Sequence, residues 1–128
     1  MSGQAGSGQR STPSERGRTY HPDTRSDAVA RAHAVAELLR ASAARIEAER
    51  ALPADIVTAL HAAKLFRILL PRSLGGDELP HKALAQVIEV IASADASTAW
   101  CLGQGAGCAM AAAYLKPEVA RRFFGPAD

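Results

Sequence analysis

Aromatic residues make up only 5% of this 128-residue sequence, which has two cysteines, one tryptophan and no useful run of period-two alternation. The scarcity of aromatics beside abundant alanine points to a core of small and aliphatic side chains. Such a core favours closely packed helices over a sheet. Cys101 and Cys108 lie seven residues apart in one predicted helix. At about 1.5 Å of rise per residue their Cα atoms are roughly 10 Å apart, too far for a disulfide. They read as small buried hydrophobes in a reducing cytoplasm. No surplus of one charge marks a nucleic-acid partner. Of 15 basic and 13 acidic residues, four and two lie in the first 25 positions, leaving 11 of each sign beyond them. The basic N-terminus lacks the apolar stretch of a secretory signal.

What is present is helical. Residues 1–25 are Gly, Ser, Gln, Arg and Thr with almost nothing apolar, so they are expected to be a disordered tail. Structure should open at Ser26 or Asp27, either of which can cap a helix. Val29, Ala32, Val35, Ala36, Leu39, Ala43 and Ile46 then fall at three- and four-residue spacing, predicting a helix over 27–50. Arg31, Glu37, Arg40, Glu47 and Glu49 fill its remaining surface and read as a solvated face.

Pro53 suits the first turn of a second helix over 53–64, with Ile56, Val57, Leu60 and Ala63 inward. The run Leu65-Phe66-Arg67-Ile68-Leu69-Leu70-Pro71 reads as a buried connection, and Gly75-Gly76-Asp77 as a turn. A third helix is expected over 80–94, with Leu84, Val87, Ile88 and Ile91 inward. Asp95, Ser97 or Thr98 can cap a fourth that runs to about Leu115, and Pro117 opens a fifth that stops at Gly125. The fold class is therefore all-α, with about five helices in one domain over 26–128.

Motifs that carry chemistry are few. His21, His33, His61 and His81 show no metal-ligand spacing, so no metal site is expected. In the stretch 102–108 a dinucleotide-binding GxGxxG pattern would need glycine where Cys108 stands, and no strand precedes it. Gly103 and Gly107 instead suggest a flat strip for a neighbouring helix. Positions 96–115 hold no charge and are long enough to cross a bilayer. Their Ala/Gly content, with Ser97, Thr98 and Gln104, argues against insertion and for burial within a protein. Trp100, Gln104 and Cys108 share one face of the fourth helix at four-residue spacing. They line either a substrate pocket or an ordinary core.

Residues 52–125 resemble the N-terminal domain of the acyl-CoA dehydrogenase superfamily. The resemblance is carried by Leu52-Pro53 through Leu60 and Ala63, the 65–71 run, Leu74-Gly75-Gly76, and Ala94-Asp95-Ala96-Ser97-Thr98-Ala99-Trp100. It implies a three-part enzyme: this helical domain, a middle β-domain and a C-terminal four-helix bundle, with FAD lying between the latter two and a neighbouring subunit. It also implies a homotetramer, and dehydrogenation in which a carboxylate removes the proton α to a thioester while hydride passes to the flavin. This domain would contribute one wall of the pocket through its central helices. The Asp-Ala-Ser-x-Ala-Trp stretch is similar also to flavin-dependent aromatic monooxygenases of the same fold. In that branch a histidine often faces the substrate where this sequence has Cys108. Lys64 is a second departure, standing where the family usually has a glycine.

The resulting expectation is the N-terminal part of a cytoplasmic FAD-dependent oxidoreductase acting on CH–CH groups of a small acyl-CoA substrate. Trp100, Gln104 and Cys108 would line its pocket, and no catalytic or cofactor-binding residue would lie in this chain. A reduced-flavin-dependent aromatic monooxygenase is the alternative, and a stand-alone helical binding module is a third reading. The chain is expected to be truncated before its β-domain and bundle, and so to bind FAD poorly and lack turnover by itself. Neither nucleic acid nor membrane is an expected partner.

Overall fold

The computed structural model describes residues 22–125; of the expected tail, 1–21 lie outside the described residues. Five α-helices are present, with no strand among the described residues: α1 (Pro22–Glu49), α2 (Ala54–Ala62), α3 (His81–Ala92), α4 (Ala96–Ala109) and α5 (Pro117–Phe124). Helix α1 opens at Pro22, ahead of the expected cap at Ser26 or Asp27. Proline suits a first helical turn because its φ is already fixed and its missing N–H would have no partner there. Helix α4 is shorter than expected. Its α-helical part stops at Ala109 and tightens into a 3-10 turn over Met110–Tyr114.

Helix α1 packs on α3, α3 packs on α4, and α4 rests on a 3-10 turn at Leu65–Arg67. The main core lies between them, where Leu39, Ile56, Leu60, Leu65, Ile68, Val87, Ile91 and Leu102 are buried almost completely. Each such side chain contributes about 1.5–3 kcal/mol by leaving water. A smaller cluster of Leu70, Leu74, Ala109, Ala112 and Ala120 fastens α5. The apolar stripe of α1 is largely the expected one. Ala43, however, is exposed, and Ser42 is the buried residue at that turn.

The connection between α2 and α3 decides where α4 lies. Leu65, Ile68, Leu69 and Leu70 are all buried, as the apolar run implies. Gly75 has φ 76°, and a Cβ on Gly76 would sit 2.0 Å from the Leu70 carbonyl oxygen, so both positions require glycine. The turn sends the chain back along itself. Asp77, Glu78 and Leu79 donate backbone hydrogen bonds to Arg67, Leu70 and Ile68 carbonyls at 2.9–3.0 Å. Lys64 has φ 55° and ψ 24°, the left-handed conformation glycine normally supplies after a helix. The lysine thus adopts the left-handed conformation at the position where the resemblance led to the expectation of glycine.

One residue of the expected solvated face of α1 is not solvated. The Arg31 side chain is 20% exposed. It donates to the Ala63 carbonyl at 2.6 Å and pairs with Asp77 at 2.6 Å and Asp27 at 3.0 Å. One guanidinium therefore joins α1 to the end of α2 and to the Gly-Gly turn. Arg67 does the same for α5, donating to the carbonyls of Leu74 and of Phe124, the latter at 3.0 Å.

Candidate functional site

Helix α4 starts at a built cap. The Asp95 carboxylate accepts from the Thr98 backbone N–H at 2.6 Å and from the Ser97 hydroxyl at 2.6 Å. Burial by itself would raise its pKa. The hydrogen bonds from Ser97 and Thr98 outweigh that and hold the carboxyl below its ordinary value. This fixes the first turn of α4 and so the rotation of every residue along it.

With that rotation set, α4 divides into two faces. Thr98, Ala99, Leu102, Ala106 and Ala109 face the core. Trp100, Cys101, Gln104 and Cys108 lie on the opposite side and are exposed, the Trp100 indole at 70%. The structure thus brings Trp100, Gln104 and Cys108 onto one face, and that face is not part of this domain's core. It also corrects the expectation for the cysteines. Both are exposed and free, because the helix turns its Ala and Leu positions inward and leaves the thiols on the outward side. The uncharged run over 96–115 is accordingly half-covered, and no described helix is long and apolar enough to cross a membrane.

The glycines of α4 differ from one another. A Cβ on Gly105 would come within 2.7 Å of the Phe66 ring, so the closest approach is here. Gly103 would place a Cβ 3.6 Å from Ile88 Cδ1 of α3, while Gly107 faces open space. The expected Gly103/Gly107 strip is thus half used, at Gly103 only. Beside Gly103 an open cleft of about 330 Å³ runs between α3 and α4, lined by Ile88, Ala92, Ala96, Ala99, Trp100, Gly103 and Gln104. Sequence reasoning missed the α3 contribution, because Ile88 reads simply as an inward residue of its own helix. A second groove of about 480 Å³ lies between the end of α1 and the start of α4, with Arg50, Asp95 and Cys101 on its walls.

The sequence that builds this site is similar to known proteins. The family described as acyl-CoA dehydrogenase, N-terminal domain, matches residues 25–127. The chain belongs to that family. It is also similar to the oxygenase component of an FADH(2)-dependent resorcinol hydroxylase from Rhizobium sp. (strain MTP-10005), at 36% identity over 75 residues. That stretch covers 59% of this chain and 18% of the relative, so the chain spans under a fifth of the protein it matches. Membership places this acyl-CoA dehydrogenase-type domain among flavoenzymes.

The cleft beside Trp100 does not by itself fit a flavin dinucleotide. A pyrophosphate needs convergent backbone N–H groups or cations. The glycines at 103, 105 and 107 lie inside α4, where their N–H groups serve the helix, and neither Lys nor Arg lines the cleft beside Trp100. Among the described residues no group of three His, Cys, Asp or Glu stands close enough to hold a metal ion. His81 Nε2 meets the Met110 sulfur at 3.0 Å, and His61 packs its ring 4.8 Å from Phe66. Both are packing contacts between elements.

Proposed function

We propose that this domain forms one wall of the substrate pocket of a flavin-dependent oxidoreductase, with Trp100, Gln104 and Cys108 turned toward the substrate. The observation that supports this most is the exposure of the Trp100 indole on the helix that is central to the core. A large aromatic side chain left in water beside a small-residue cleft marks a surface that something else covers. In this reading the chemistry comes from a flavin, specifically FAD, held by parts of the enzyme outside 22–125. This chain contributes shape, exclusion of water and one amide.

The leading reaction is dehydrogenation across a CH–CH bond of an acyl-CoA thioester. The second reading is hydroxylation of an aromatic compound by reduced flavin and oxygen, which the resorcinol hydroxylase relative favours. A homo-oligomeric, cytoplasmic enzyme with a small-molecule substrate completes the proposal.

The test is an anaerobic titration of the purified flavoprotein that carries this chain. Bleaching of its flavin by a short acyl-CoA supports dehydrogenation. Indifference to the thioester, with oxygen uptake when reduced flavin and a phenol are supplied, supports hydroxylation. A protein that carries no flavin under either condition refutes both and leaves a stand-alone helical module.

A further inference from the structure

The cleft beside Trp100 has a chemistry more definite than that of a generic pocket wall. One side is the exposed indole of Trp100, and the floor is Ala96, Ala99 and Gly103, which carry no side chain beyond a methyl. The far side is Ile88 and Ala92 of α3. No lining residue is charged, and apart from the Trp100 indole N–H the polar group is the exposed amide of Gln104. Its volume is about 330 Å³, and it is a shallow depression open to solvent on one side.

Each of these facts restricts the occupant. An anion would lose its hydration here without gaining a cation in return. A flat ring can lie against an indole in the offset or edge-on arrangements aromatic pairs prefer, and a floor of methyl and methylene-free positions lets it approach closely. Gln104 supplies a donor and an acceptor to one polar substituent on that ring. We propose that the α3–α4 cleft is a subsite for a planar, uncharged aromatic ring, with Ile88 and Gly103 setting its depth and Gln104 holding a polar substituent. This rests on the pocket-wall reading above and makes Ile88, a residue of the neighbouring helix, a specificity-determining position.

Trp100 is the only tryptophan of the 128-residue chain, so the emission of that chain reports on this cleft alone. The experiment titrates the 128-residue chain with phenol, and with cyclohexanol as a control of equal substituent and different shape. The expected result is a saturable change with phenol at millimolar concentration and none with cyclohexanol. Gly103→Leu fills the floor and is expected to weaken phenol binding about tenfold or more. Ala92→Leu, at an exposed position, repeats the test should the first variant lose its circular dichroism signal. Gln104→Leu is expected to abolish the preference for phenol over benzene. A linear, unsaturable response to phenol, an equal response to cyclohexanol, or binding unchanged in the filled-cleft variants overturns the proposal. Flavin content separates the two readings. Phenol binding in a protein without flavin keeps the cleft and removes the oxidoreductase. A flavoprotein whose Trp100 ignores phenol removes the cleft alone.

Discussion

Two glycines of α4, two residues apart, should respond to alanine with opposite signs. Replacing an exposed helical glycine by alanine stabilises by about 0.5–1 kcal/mol, because alanine loses less backbone entropy on folding. Gly107→Ala should collect this gain in full, since its Cβ would meet nothing within 4 Å. Gly105→Ala gains the same propensity but places a methyl 2.7 and 2.9 Å from two Phe66 ring carbons. That ring cannot swing away freely, for it is half-buried and packed against the tilted His61 ring at 4.8 Å. Overpacking of this kind costs about 1–3 kcal/mol, so the net effect at Gly105 is a loss of about 1 kcal/mol. In a domain of this size about 1 kcal/mol moves Tm by about 4–8 °C. Thermal melts followed by circular dichroism should therefore show Gly107→Ala a few degrees above the parent and Gly105→Ala a few degrees below. Adding Phe66→Leu to Gly105→Ala should recover part of the loss, as expected for two positions in contact. A Gly105→Ala protein stabilised as much as Gly107→Ala would refute the claim that the α4–Phe66 approach dictates glycine.

Other positions give independent tests. The Asp95 carboxyl is held below its ordinary value in the fold, so its contribution is complete above pH about 4 and is lost as pH falls through the lowered pKa. Asp95→Asn, which still caps, should flatten that acid limb in pH-dependent melts, whereas Asp95→Ala should cost about 1 kcal/mol at neutral pH. Lys64→Gly should stabilise by about 0.5–1 kcal/mol in urea unfolding, because it relieves a left-handed lysine. Arg31→Ala should destabilise by about 2–3 kcal/mol, since it leaves the Ala63 carbonyl and the half-buried Asp77 without their partner. In the flavoenzyme carrying this chain, Trp100→Ala should change KM for substrate while leaving Tm within about 1 °C of the parent, since truncating an exposed side chain has little effect on stability. A large loss of Tm would show that the indole is core after all.

The sequence by itself determined the class of fold and the order of its helices. Apolar residues at three- and four-residue spacing dictate helices, and prolines and Gly75-Gly76 dictate where the chain turns. Those are local properties of backbone and hydration, whereas the family pattern from Asp95 to Trp100 was legible only as a resemblance. What only the tertiary structure decided is which way each face points. Trp100, Gln104 and Cys108 share a face at any rotation of α4. Whether that face is core or surface depends on how the Asp95 cap and the Gly105–Phe66 contact seat the helix. The same holds for Arg31, which reads as one more surface charge until the end of α2 and Asp77 are brought beside it. Ile88 likewise joins the cleft because α3 lies against Gly103, a contact between residues 15 positions apart in the chain. Periodicity records that a side chain has neighbours on its own helix; which other helix meets it is set by the packing of the whole core.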